Sequence, residues 1–279
     1  MNKQIPLDAF MNVQNSGLAY SDLNKFLGSV LEKITFVLGG TFTKAMIPLI
    51  ELKANNKTIF QTDGSKLDAS KLYMGGASDA TILTLDLMDR KAVTPNARQA
   101  GTLDLSAKSG ITQLRLEVTI AGATNPTLAG FADLSPPTED PAEAGIRWLI
   151  LRRHRSTQTI GAAGEFALQV PHLDPSGGGS NFRRVHIFSA NMTRLKAQRE
   201  GVTEFDLSKA QIEAAQKDNF RTPQSGLVVF DPVQDGQLQG RTWDTRPSSG
   251  VRSAQLYGTF SAGETITIET EELLPLAAY

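Results

Sequence analysis

The chain has 279 residues, 40% of them hydrophobic and 20% charged, with a formal net charge of -1 and no cysteine. That length suits two domains rather than one. The balanced charge argues against a surface built to coat nucleic acid, and the lack of Cys excludes disulfides, thiolate metal sites and Cys nucleophiles. No stretch reaches the roughly 18 consecutive apolar residues of a membrane-spanning helix, and the polar N-terminus does not read as a signal peptide.

The first twenty residues show no sustained period and read as an extended arm. An amphipathic helix is expected next, with Ser21 as N-cap, Asp22 in the first turn and Leu23, Phe26, Leu27, Val30 and Leu31 at helical spacing. This stripe is expected to pack on the protein's own body or on a neighbouring subunit, as part of an assembly arm; its polar face is not rich in Lys or Arg, which disfavours a membrane-surface helix. From Ile34 the pattern turns to strands. Ile50 and Leu52 alternate with Glu51 and Lys53, and Asn55-Asn56 offers a tight turn into a strand through Ile59 and Phe60. Leu83, Leu85 and Leu87 alternate with Thr84 and Asp86. Leu114, Leu116, Val118 and Ile120 alternate with Arg115, Glu117 and Thr119, the period of a half-buried strand. Only Leu67–Tyr73 and Ser208–Lys217 read as further helices.

Residues 135–145 carry three prolines and three acids with no apolar periodicity, which suits an interdomain linker. The stretches on either side resemble each other. Phe42-Thr43-Lys44 is matched with Phe182-Arg183-Arg184, and the helix around Ser70-Lys71 with the one opening at Ser208-Lys209. Gly101-Thr102-Leu103-Asp104 is answered by Arg241-Thr242-Trp243-Asp244, and Ser109-Gly110-Ile111 by Ser249-Gly250-Val251. A repeat this long is a duplicated domain, not a solenoid unit. The expected fold is all-β: an N-terminal arm with its helix (1–33), a first eight-stranded jelly roll (34–134), a linker (135–145) and a second jelly roll (146–279).

Two tandem sandwiches behind such an arm resemble the double jelly-roll major capsid proteins, among them those of corticoviruses and related membrane-containing, tectivirus-like phages. The resemblance rests on Arg147-Trp148-Leu149-Ile150-Leu151-Arg152-Arg153 after the linker, on Arg184-Val185-His186-Ile187, on the helix of the second half and on the closing Ile266-Thr267-Ile268-Glu269. It implies homotrimeric capsomers of six-sided outline that tile an icosahedral shell over an internal membrane. The implied partners are further copies of the chain, penton or minor capsid proteins, and the membrane through the N-terminal arm, without direct nucleic-acid contact. The implied location is the virion capsid, assembled in the host cytoplasm. Some relatives carry structural calcium, but no Asp/Asn-rich loop closed by Glu assigns ligands here.

No catalytic or cofactor site emerges from the residues. His154, His172 and His186 show no metal-binding spacing and read as ordinary surface or interface histidines. No Gly-x-Ser-x-Gly elbow supports a nucleophile. Glu139, Asp140 and Glu143 fall in the linker, and Glu269, Glu271 and Glu272 read as a solvated rim, although a glycan-acting hydrolase would need such carboxylates paired. Arg152, Arg153 and Arg155 follow an apolar run without interleaved aromatics, and are expected to pair with acids between domains or subunits. The alternative function is a two-domain glycan hydrolase or a carbohydrate-binding adhesin.

Overall fold

The computed structural model describes residues 3–137, 149–238 and 241–275. The chain divides into two compact units, Met1–Lys71 with Gly76–Arg153 and Leu274–Tyr279, and Leu72–Gly75 with His154–Leu273. The expected linker lies outside the described residues beyond Pro137, as do Arg147 and Trp148.

The first unit is built from β1 (Lys3–Pro6), β2 (Gly17–Asp22), β3 (Val30–Gly39), β4 (Leu49–Ala54), β5 (Lys57–Thr62), β6 (Ile82–Asp86), β7 (Leu103–Asp104), β8 (Leu114–Ile120) and β9 (Thr127–Ser135). One sheet runs β1-β9-β3-β6 with β7 also on β3, and β5-β4-β8-β2 are ordered in the other. The alternation in β8 is realised residue by residue. Leu114, Leu116, Val118 and Ile120 are buried, and the intervening side chains are half-buried. β4 behaves likewise, whereas β6 is buried on both faces, Thr84 included, because Leu83 and Leu85 are not its only inward side chains. Asn55 and Asn56 link β4 to β5 with positive φ at both positions (48° and 64°), the backbone of a twist-matched two-residue hairpin turn.

The expected arm and helix are corrected. Residues 3–6 and 17–22 are strands, paired with β9 and β8 respectively. Asn24–Phe26 is a single 3-10 turn, and β3 already begins at Val30. Gly28 breaks the helical spacing: it sits at φ 89° and its N–H donates to Leu105 O at 2.7 Å. Leu23, Phe26, Val30 and Leu31 look periodic because turn and strand both aim at one core, where each is at most 1% exposed. Leu27 stays 37% exposed.

The second unit contains β10 (Leu149–Ile160, from His154 on), β11 (Gly164–Ala167), β12 (Asn181–Phe188), β13 (Met192–Arg199), β14 (Val202–Ser208), β15 (Leu227–Phe230), β16 (Trp243–Asp244), β17 (Ala254–Phe260) and β18 (Glu264–Pro275). The strands β15-β12-β18-β10 are ordered side by side with β16 also on β12, and the facing sheet runs β11-β17-β13-β14. Each pairing of the first unit therefore recurs with β1–β9 replaced in order by β10–β18. The helices Gly64–Tyr73 and Lys209–Asp218 occupy equivalent positions after β5 and β14. The latter opens with a capping box between Ser208 and Gln211. Its core gathers Phe182, Val185, Ile187, Leu195, Leu256, Phe260, Ile266 and Ile268.

The topology fixes the true register of the repeat. Leu31 pairs with Leu103, and Phe182 with Trp243, so Phe182 answers Leu31 rather than Phe42. The stretch from Phe182 to Arg199 holds two strands, β12 and β13, and the turn at Glu200-Gly201 leads into β14. The later matches hold: Leu103-Asp104 and Trp243-Asp244 are both short strands, and each is followed by a 3-10 turn.

Candidate functional site

The densest set of chemically capable side chains lies in the second unit, where β12 pairs with β18. The register sets Phe182 opposite Glu272, Arg184 opposite Glu271, Val185 opposite Thr270 and His186 opposite Glu269, with a bulge between Phe182 and Arg184. The bulge lets Arg183 and Arg184 reach the same acid. Arg183 Nε donates to Glu271 Oε2 at 3.0 Å, Arg184 Nη1 to the same oxygen at 3.2 Å, and His186 Nε2 stands 3.1 Å from Glu271 Oε1. Arg184 Nε also donates to Asp231 Oδ2 at 3.0 Å, Tyr73 OH donates to that oxygen at 2.9 Å, and Arg221 Nε lies 3.5 Å from it. Arg184, Asp231, Arg221 and His186 are at most 1% exposed at their side chains.

Electrostatics follows from this crowding. Burial pushes the Glu271 carboxyl up, but Arg183, the His186 hydrogen bond and Arg184 outweigh it and hold the group well below the usual carboxylate range. Burial raises the Tyr73 phenol well above its ordinary value, and the Asp231 charge adds to the effect. An anion bridged by guanidinium groups and shielded from water is a structural clamp, because breaking such a pair leaves an uncompensated buried charge. Glu269, Glu271 and Glu272 thus correct the expected solvated rim: all three lie within β18 and are at most 7% exposed. No spacing rule could reveal this, because the partner strand lies about 85 residues away.

The basic cluster on β10 separates. Arg153 is 2% exposed and belongs to the first unit, where Nη2 donates to Ser70 Oγ at 2.7 Å and the guanidinium lies 5.5 Å from the Phe60 ring centroid. Arg152 and Arg155 are half-buried. In the Gly177–Ser180 segment Gly177 and Gly178 are exposed with open space around them, and the end of the segment is held. Ser180 is fully buried, and Gly179 sits at φ 61° with room for no Cβ, whose nearest neighbour would be Thr245 O at 2.3 Å.

A concavity of about 590 Å³ lies between Leu168, Val170, Leu173, Gln198, Arg252 and Tyr257. Its one carboxylate, Asp174, is held below the ordinary value by the backbone N–H and side chain of Ser176. A glycosidase pair needs two carboxyl groups about 5–10 Å apart across the cleft. Trp243, which would have to be exposed to serve an adhesin as a glycan platform, is 5% exposed and packs on Phe182 and Phe230 with ring centroids 6.3 and 5.2 Å away. Glu139, Asp140, Glu143 and Trp148 lie outside the described residues.

Two β-sandwiches that share one pairing scheme define a double jelly-roll protein. Family models agree: the N-terminal domain of viral coat protein P2 matches residues 4–135 and its C-terminal domain residues 150–276. The chain belongs to the viral coat protein P2 family, the double jelly-roll major capsid proteins; it is a structural protein of the virion capsid and not an enzyme. Among solved structures it is similar to the major capsid protein P2 of bacteriophage PM2, with a TM-score of 0.83 and 14% identity over 98% of this chain and 97% of that one. It is also similar to the major capsid protein of Sulfolobus Turreted Icosahedral Virus, with a TM-score of 0.70 and 13% identity over 99% and 97%. The Faustovirus major capsid protein gives a TM-score of 0.58 and 6% identity over 98% and 90%. No curated protein sequence matches the chain.

Proposed function

We propose that this coat protein forms homotrimers of six-sided outline that tile an icosahedral shell over an internal membrane. The observation that carries the reading is the strand-for-strand repetition of β1–β9 in β10–β18. Three chains, each bringing two equivalent sandwiches, offer six similar lobes around a closed threefold axis. Obligate contacts of this kind bury upward of roughly 2,000 Å². Contacts with penton or minor capsid proteins, the internal membrane and assembly in the host cytoplasm rest on the family resemblance, and no direct nucleic-acid contact is expected.

The burial of four of the five stripe residues narrows the assembly role of the N-terminal region. Among the described residues of that region, the large apolar side chains left for a neighbour or a lipid surface are Leu27, Met11 and Leu18, 37%, 56% and 45% exposed. Arg152 and Arg155 are the proposed partners of acids on an adjacent subunit. Class averages of the purified full-length protein in negative stain provide the test. Six-lobed particles with threefold symmetry are expected, and particles of a single two-lobed chain would overturn the reading. Ser substitutions at Met11, Leu18 and Leu27 together should leave such particles intact while lowering the yield of shells; an unchanged yield would remove this assembly surface.

A further inference from the structure

Three groups with metal-binding chemistry converge in the second unit although nothing in their spacing announces it. His154 lies on β10, His172 in the turn after β11 and Glu272 on β18, and one ligand atom from each lies within 4.8 Å of the other two. The imidazoles stand edge to face with ring centroids 4.4 Å apart. His172 Nδ1 is 3.1 Å from Glu272 Oε1. With zinc bonds of about 2.0–2.2 Å, adjacent donors of a tetrahedral site stand roughly 3.4 Å apart, so one edge of the polyhedron is already in place. The other donors stand at most 4.8 Å apart and have to draw closer to share an ion.

The carboxylate is held as ligands in built sites are held. Glu272 is fully buried, Ser180 Oγ donates to its Oε2 at 2.7 Å, and Thr270 Oγ1 donates to its Oε1 at 2.7 Å. Ser180 is itself fixed, because its backbone N–H donates to Thr245 Oγ1 at 3.0 Å and the Thr245 N–H donates to Ser180 O at 2.8 Å. Such outer partners orient a ligand and tune its affinity. His172 adopts φ 56°, a region that non-glycine residues seldom occupy. Its side chain is 37% exposed, which leaves an entry path from solvent.

We propose that His154, His172 and Glu272 bind one divalent transition-metal ion of the zinc type, with water completing the coordination. Two imidazole nitrogens and one carboxylate suit Zn²⁺, Co²⁺ or Ni²⁺ and disfavour Ca²⁺ and Mg²⁺, which take oxygen ligands. On binding, the ion takes the place of the contact between His172 Nδ1 and Glu272 Oε1, and the neutral imidazole carries its proton on Nε2. The ion ties β10, the turn after β11 and β18 into one cross-link of the second sandwich.

The test uses the full-length chain without a histidine tag, stripped with a chelator and titrated with Zn²⁺ by calorimetry and with Co²⁺ by visible absorption. One ion per chain, the absorption bands of tetrahedral Co²⁺ and a Zn²⁺-dependent rise in Tm are expected. His172→Ala, at an exposed position compatible with folding, should weaken Zn²⁺ at least about tenfold and abolish the Tm rise. Ser180→Ala should weaken it by about 10–100-fold through the carboxylate alone. Excess Ca²⁺ should not displace Zn²⁺. Absence of stoichiometric binding, wild-type affinity in His172→Ala, or displacement by Ca²⁺ would each overturn the site. The readout needs no assembly, so it stands apart from the trimer experiment.

Discussion

The two sandwiches solve one structural position in two ways. In the first, β3 pairs with β9 across a bulge between Leu31 and Lys33, with Lys33 opposite Asp133. In the second, β12 pairs with β18 across a bulge between Phe182 and Arg184, with Arg184 opposite Glu271. Bulge and cross-strand ion pair are therefore shared features of the duplicated unit. The Lys33 and Asp133 side chains are 20% and 18% exposed at a separation of 2.6 Å, so water still reaches this pair. The Arg184 and Glu271 side chains are 1% and 9% exposed. There the neighbouring positions supply what water does not. Arg183 stands where the first copy has Glu32, His186 where it has Thr35, and Asp231 and Tyr73 add further partners. A desolvated ion pair persists only with its remaining donors and acceptors filled, so the burial and the extra partners belong together.

The largest expected effect breaks that contrast at its centre. Glu271→Ala should destabilise the second unit by about 3–5 kcal/mol, because it strands buried guanidinium groups. Asp133→Ala, the equivalent change in the first copy, should cost about 0–1 kcal/mol. Denaturant titrations followed by hydrogen exchange on each unit measure both, and equal costs would mean that burial does not separate the copies. Next in size is a packing difference. Val118 in β8 corresponds to Gly258 in β17, where an added Cβ would meet Met192 Cε at 2.7 Å and the Phe260 ring at 2.9 Å. Gly258→Val should cost about 1–3 kcal/mol, and Met192→Ala in the same chain should recover part of that loss.

Acid should sharpen the comparison further. The folded-state Glu271 carboxyl titrates below its unfolded value, so its contribution is complete above roughly pH 4–5 and is lost as the pH falls through the folded value. Acid unfolding of the second unit, followed by Trp243 fluorescence, should show this limb, and Glu271→Gln should flatten it. The smallest effect is local. Asp244 is partly desolvated, which raises its carboxyl, yet hydrogen bonds from Arg246 and Ser249 prevail and bring it to about 2. An NMR titration should find that value rise in Arg246→Gln.

The sequence discloses the duplicated all-β plan because alternation is local: β4 and β8 could be read directly, and the Asn55-Asn56 turn announces itself by residue type. The region 17–39 misleads because Leu23, Phe26, Val30 and Leu31 satisfy a helical period while serving a turn and a strand, and only Gly28 hinted at the break. The buried network and the His154–His172–Glu272 group were not legible. Their members are brought together by sheet register, which sets Glu271 beside Arg184 across 87 positions of sequence, and an acidic run at the chain end looks the same whether solvated or buried.

The native mass of the purified protein tests the proposed threefold capsomer most directly. Light scattering coupled to size exclusion should give about three times the 30.1 kDa of the chain, or larger shells. A mass of one chain that persists as concentration is raised would contradict it.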